Sequence, residues 1–198
     1  MTKWFDPSLQ NITIGDANTT FDGSETTLIS QGGAVREIDL TDLYPLYGIV
    51  LGTEQSSTSG TTIDFTGIPS RAKRIVVTGI GVSLSGTDDL LIQIGDSGGI
   101  ETTSYTSASN SSAGGVQSTS GMRIVLSVAA DTIFFVMTFN LENASTNQWI
   151  CSHNAIRSDN VNIYGAGIKA LSSTLDRVRV TTTGTNTFDA GVINISYQ

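Results

Sequence analysis

From residue 61 to the C-terminus no stretch repeats apolar residues with a 3.6-residue period for three turns, and that excludes a helical fold for most of the chain. The same stretch is a succession of short β-branched and aliphatic runs broken by Gly, Asp, Asn and Ser. The runs predict strands at 61–66, 73–84, 90–95, 100–105, 121–128, 132–141, 147–153, 161–169, 176–182 and 188–197. Several alternate cleanly, such as Met122, Ile124, Leu126 and Val128 against Arg123, Val125 and Ser127. Eight to ten short strands in a single stretch of this length predict an antiparallel β-sandwich, jelly-roll-like by strand number. The runs at 73–84 and 90–95, separated by Gly86-Thr87-Asp88-Asp89, read as a hairpin, and the Ser/Asn/Gly tract at 106–120 as a long exposed loop.

Residues 1–59 read differently. The first 33 hold few large apolar residues, and Ile12 and Ile14 alternate with polar neighbours, so the segment cannot close a core of its own. We expect an extended N-terminal arm docked on a neighbouring subunit or partner, anchored by Trp4 and Phe5 with Ile12, Ile14 and Phe21. Thr41 can cap a short helical turn at Asp42-Leu43-Tyr44 that Pro45 stops, and residues 48–51 read as a short strand. The polar stretch at 53–60 has linker composition, which divides the chain into an arm, 1–59, and a sandwich, 60–198.

Charge limits the partners. Only 14% of residues are charged, and the formal net charge is −8. Residues 1–59 carry Lys3 and Arg36 against eight carboxylates. The largest basic group, Arg71, Lys73 and Arg74, is too small to draw nucleic acid or anionic lipid to an acidic chain. No run reaches the roughly 18–20 apolar residues of a membrane span, and the first residues lack the apolar core of a signal peptide, so synthesis in a cytoplasm is expected. The single cysteine, Cys151, excludes an internal disulfide.

Gly95-Asp96-Ser97-Gly98-Gly99 carries the letters found around the nucleophile of serine hydrolases. A serine nucleophile needs a histidine base backed by a carboxylate, and the one histidine, His153, follows the serine. The order Ser97, Glu142, His153 fits a nucleophile elbow, but such an elbow leads into a helix, and residues 100–105 read as a strand. The pentapeptide is therefore expected to be a turn, its glycines supplying positive φ and Asp96 and Ser97 bonding its backbone. No catalytic residue and no cofactor are expected. Cys151 with His153 gives two ligands, too few for a metal site. Asp88 and Asp89 with Asp96 offer oxygen ligands for Ca²⁺, but turn bonding explains the first pair equally well, and no metal is assigned. Arg177 and Arg179 on one strand face read as a solvated face or as edge protection.

The blocks IDFTGIPSRAKRI (63–75), GVSLSGTDDLLIQIGDSGGIETTSY (81–105) and STLDRVRVTTTGTNTFDAGVINISY (173–197), in that order, resemble a module of tailed-bacteriophage virion proteins, cyanophages included. The resemblance spans roughly residues 60–198. It implies a β-sandwich exposed on a virion surface, homotrimeric and without a catalytic role, in which the GDSGGIE turn is ordinary module text. Two expectations follow. One is a capsid decoration (cement) protein held to the major capsid protein or to neighbouring subunits by its arm. The other is a tail-fibre module binding a host surface glycan.

Overall fold

The computed structural model describes residues 48–112, 114–126, 128–129 and 131–198, together with the backbone of Thr26–Gln31 and Ala34–Asp39. The arm anchors Trp4, Phe5, Ile12, Ile14 and Phe21, and the expected helical turn at Thr41, lie outside the described residues. The chain divides into two compact units, Met1–Leu46 and Tyr47–Gln198. In the first, β1 (Thr26–Gln31) and β2 (Ala34–Asp39) pair antiparallel from Thr26↔Asp39 to Gln31↔Ala34. The intervening sequence is Gly32-Gly33, a two-residue hairpin signal within the expected extended arm.

The second unit is an all-β antiparallel sandwich, with no helix among the described residues. The strands are β3 (Val50–Leu51), β4 (Gln55–Ser56), β5 (Thr62–Thr66), β6 (Arg74–Leu84), β7 (Leu90–Asp96), β8 (Gly99–Ile100), β9 (Thr106–Ser111) and β10 (Gly114–Ser118). Then follow β11 (Met122–Ile124), β12 (Ile133–Asn143), β13 (Gln148–Arg157), β14 (Asn162–Ala170), β15 (Leu175–Thr182) and β16 (Phe188–Tyr197). One sheet has nine strands in the order β10-β9-β14-β13-β12-β6-β16-β3, with β4 also on β16. The other has five, β11-β7-β15-β5, with β8 on β7.

The core lies between the sheets. Ile133, Phe135, Met137 and Phe139 alternate inward on β12, Trp149 and Cys151 on β13, and Ile75 and Val77 on β6. They meet Ile92 and Ile94 of β7 and Val178 and Val180 of β15. Gly79 is needed because a Cβ there would overlap the Phe135 ring.

Five expectations change. Residues 73–84 and 90–95 do not form a hairpin: β6 belongs to the nine-stranded sheet and β7 to the five-stranded one. Their connection crosses between sheets beside the β15–β16 connection, and the two are laced together. Asp88 N–H donates to Asn186 Oδ1 (3.2 Å) and Asn186 N–H to Asp88 Oδ2 (2.8 Å), while Asp89 N–H donates to Thr183 Oγ1 (3.0 Å). Asp88 and Asp89 thus bond other segments rather than a turn of their own.

Residues 106–120 are not a loop but the β9–β10 hairpin. The buried inward positions of its first strand are serines, Ser107 and Ser109, so that strand lacks apolar alternation. Ser107 Oγ accepts from Arg123 N–H (3.0 Å), and Ser109 Oγ accepts from Val125 N–H (3.3 Å). In residues 100–105 only Ile100 is in a strand. The rest is held by the buried Tyr105, whose hydroxyl accepts from Ile94 N–H (2.9 Å) and donates toward the carbonyls of Glu101 (2.9 Å) and Ile94 (3.1 Å). Finally, residues 53–60 are not a free linker. β4 pairs with β16, and Ser57 is buried, its hydroxyl donating to Ala190 O (2.8 Å).

Candidate interaction surface

The GDSGG segment joins β7 to β8. Asp96 is buried; its Oδ1 accepts from Gly98 N–H (2.8 Å) and its Oδ2 from Ser172 Oγ (2.6 Å). The Ser172 hydroxyl, helped by the Gly98 and Ser173 amides and by Arg177, outweighs burial and holds the Asp96 carboxyl below its usual range. Gly99 has φ +127, a conformation closed to most residues, and Ser97 is exposed. A second brace stands beside it. Lys169, buried on β14, meets Glu101 Oε2 at 2.5 Å and Thr103 O at 3.0 Å, and sits 5.1 Å from the Tyr105 ring centre. Burial pushes the Glu101 pKa up, but Lys169 and Ser172 bring it below its usual value.

His153 is not a partner of Ser97. It points into the sandwich from β13, with Nε2 3.1 Å from Ser109 Oγ. Cys151 lies on the same inner face, its thiol pushed up to about 12 by burial. Asp88 and Asp89 lie at one end of β7 and Asp96 at the other, so the three carboxylates do not converge. No group of three or more metal-ligating side chains occurs among the described residues. Arg177 pairs with Asp176 (2.6 Å) and Arg179 with Asp64 (2.7 Å).

Burial lowers the His153 pKa to about 4, against 6.5 in the unfolded chain. The unfolded state takes up the proton first, so stability falls as the pH drops from 6.5 to 4, by up to about 3 kcal/mol. The Asp96 and Glu101 contributions are present above the usual carboxylate range and are lost only as pH falls through their lowered values. Urea unfolding of the wild type and His153→Leu at pH 7 and 4.5 checks this. The wild type should lose more stability between the two than the variant; equal losses would contradict it.

The feature that stands out is the outer face of the nine-stranded sheet. Register fixes its rows. Val192, Ile80, Phe134 and Ile156 share one end, and Val136 and Tyr164 flank Asn154 in the next row. Ile150 and Ile168 are paired toward the other end. Ile80, Phe134, Val136, Ile150, Ile156 and Tyr164 are all exposed. Across these rows, from β16 to β9, Arg74 is the one charged residue at an outward position. Six strands about 4.8 Å apart and four rows deep give a face of roughly 700–800 Å². That matches one partner's share, about 800 Å², of a standard protein–protein interface. Two depressions mark it. One of about 510 Å³ lies among Ile80, Phe134, Val136 and Ile156, and one of about 520 Å³ over Ala108 and Ala166, between Ile150, Ile168 and Gln117.

This face escaped the sequence reading, though its signal is there. Residues 133–137, Ile-Phe-Phe-Val-Met, are apolar at both parities, the pattern of a strand covered on both faces. The sandwich covers one of them. Comparisons with protein-family models, with curated proteins and with solved structures return no match.

Proposed function

We propose that the chain is a non-enzymatic structural protein of a tailed-phage virion surface, a capsid decoration protein that works as a homotrimer and contacts the major capsid protein. The observation that carries this reading is the cluster of exposed apolar side chains, Ile80, Phe134, Val136 and Ile156, on the outer face of the nine-stranded sheet of an otherwise acidic, polar chain. A cluster of exposed large apolar side chains on one sheet face is the kind of surface that other protein covers. The resemblance of residues 60–198 to virion modules supplies the setting, and the engagement of Asp96 and His153 in internal bonds fits a role without chemistry.

The second reading, a tail-fibre module binding a host glycan, is favoured by a polar groove of about 400 Å³ lined by Gln55, Asp64, Thr66 and Tyr197. Hydroxyl, amide and aromatic groups of that kind suit sugar recognition.

Co-sedimentation with shells that lack the protein tests the first reading. Wild-type protein should pellet with the shells, and the double variant Ile80→Asp, Phe134→Asp should lose at least ten-fold in binding while keeping its β circular dichroism. Both residues are exposed, so the fold does not depend on them. Equal binding by the two would remove the outer face from the account.

A further inference from the structure

We infer that the seam where β9 closes on β11 is an acid-operated latch, which opens locally when His153 takes up a proton and its bond to Ser109 is lost. The inference does not depend on the virion reading.

β11 is an edge strand of the five-stranded sheet, paired on one side with β7. Its free side is closed by hydroxyls of the other sheet. Ser107 Oγ accepts from Arg123 N–H (3.0 Å), and Ser109 Oγ accepts from Val125 N–H, just past the strand (3.3 Å). These two serines are the buried inward residues of β9. The sheets are therefore joined here by hydroxyl bonds, where elsewhere Ile, Val and Phe side chains join them.

Register places the trigger. Met137, His153, Gly165 and Ser109 form one row across β12, β13, β14 and β9. Gly165 puts no side chain between His153 and Ser109; a Cβ there would stand 2.3 Å from His153 Cε1. His153 Nε2 thus reaches past β14 to within 3.1 Å of Ser109 Oγ. That oxygen already accepts the Val125 amide, and among the described residues its own hydrogen has one acceptor, His153 Nε2. The bond requires Nε2 without a proton.

Protonation removes this acceptor and sets a charge on a ring flanked by Met137, Cys151 and Ala155. No carboxylate among the described residues forms an ion pair with His153. Cys151 is the titratable neighbour on its own strand, and Arg157 ends that strand. β14 carries Lys169, already held by Glu101, and β11 carries Arg123, already held by Asp89. Asp96, at the far end of β7, is held by Ser172; Glu142, at the far end of β12, is exposed; β9 carries no charge. With nothing to offset the charge inside, water must reach it, and the seam is the polar side of the ring.

Once the seam parts, the imidazole is wet and titrates at its ordinary 6.5, against about 4 when burial opposes the charge. The open seam takes the proton first, so it gains up to about ten-fold in population for each pH unit lost between those values. The closed seam is complete above 6.5 and is lost as the pH falls toward 4. The loss of overall stability given above then has a local first step.

Residue-resolved amide exchange of the whole chain at pH 7 and 4.5, corrected for intrinsic rates, tests this. The Arg123 and Val125 amides report the seam; Val77 and Phe139, on β6 and β12, report the core. In the wild type, protection of the first pair should fall at least ten-fold between the two pH values. At pH 4.5 it should stand at least ten-fold below that of the core pair. It should also be unchanged by low urea, which speeds exchange only where opening exposes much new surface. His153→Gln keeps an acceptor for Ser109 and does not titrate, so its seam protection should hold at pH 4.5. Ser109→Ala, which retains the histidine, should leave the Val125 amide poorly protected already at pH 7. Seam amides that share the protection and urea response of the core at pH 4.5 would overturn the inference. So would an equal acid loss in His153→Gln, or a Val125 amide in Ser109→Ala as protected as in the wild type.

Discussion

Replacing Asp89 with alanine is expected to cost about 3–5 kcal/mol of unfolding free energy, the range for breaking a buried ion pair from one side. Asp89 is 1% exposed. Its Oδ2 accepts from Arg123 Nε and Nη2, both at 2.7 Å, and its Oδ1 accepts from the buried Leu126 N–H at 2.8 Å. Truncation leaves that amide without its acceptor and Arg123 without its counter-charge, and each loss carries its own desolvation cost. Arg123 is partly exposed and can turn to water, so Arg123→Ala should cost less. The carboxylate joins the β6–β7 crossing to β11 and to residue 126 beyond it, so its loss should also lower the cooperativity of unfolding. Urea titration of both variants measures this. A loss below about 1 kcal/mol for Asp89→Ala would contradict the role given to this contact.

The second large effect concerns the GDSGG segment. A Cβ on Gly95 would overlap the Gly99 carbonyl oxygen and stand 2.8 Å from Ile100 Cα. The obstacle is backbone, which cannot swing aside as a side chain can. Gly95→Ala should therefore destabilise by about 3 kcal/mol, the upper part of the range for overpacking. Ser97→Ala, at an exposed position, should stay within about 0.5 kcal/mol. A catalytic serine would give the reverse ranking of importance for function. On the present account Ser97→Ala leaves shell binding unchanged, and no fluorophosphonate label attaches to Ser97. Thermal melts and labelling of the two variants check the pair together.

These two sites also show how far the sequence could be read. The alternation in residues 122–128 and 178–180, with the succession of short runs, is enough for an antiparallel sandwich, because a period of two determines which side chains meet. It could not say which sheet each strand joins. Leu84 and Leu90 flank a short polar connection in sequence, yet their strands lie in different sheets, because Asp88 and Asp89 bond residues 183 and 186. Nothing local to residues 85–89 announces partners nearly a hundred positions away. The β9–β10 hairpin was hidden for another reason: Ser107 and Ser109 fill core-facing positions and satisfy backbone amides there, so polarity was mistaken for exposure. The GDSGG turn was legible because His153 is the one histidine and lies after it. The outer face was half legible. Phe134 and Val136 lie in a run of strand composition, and apolar groups at both parities there imply a second covered face.

The central claim is that this protein works through contact surfaces on a virion, and counting its copies in purified particles of the encoding phage tests it most directly. Quantitative mass spectrometry against the major capsid protein should find hundreds of copies per particle. Tens or fewer would move it to the tail, and its absence from particles would contradict the account.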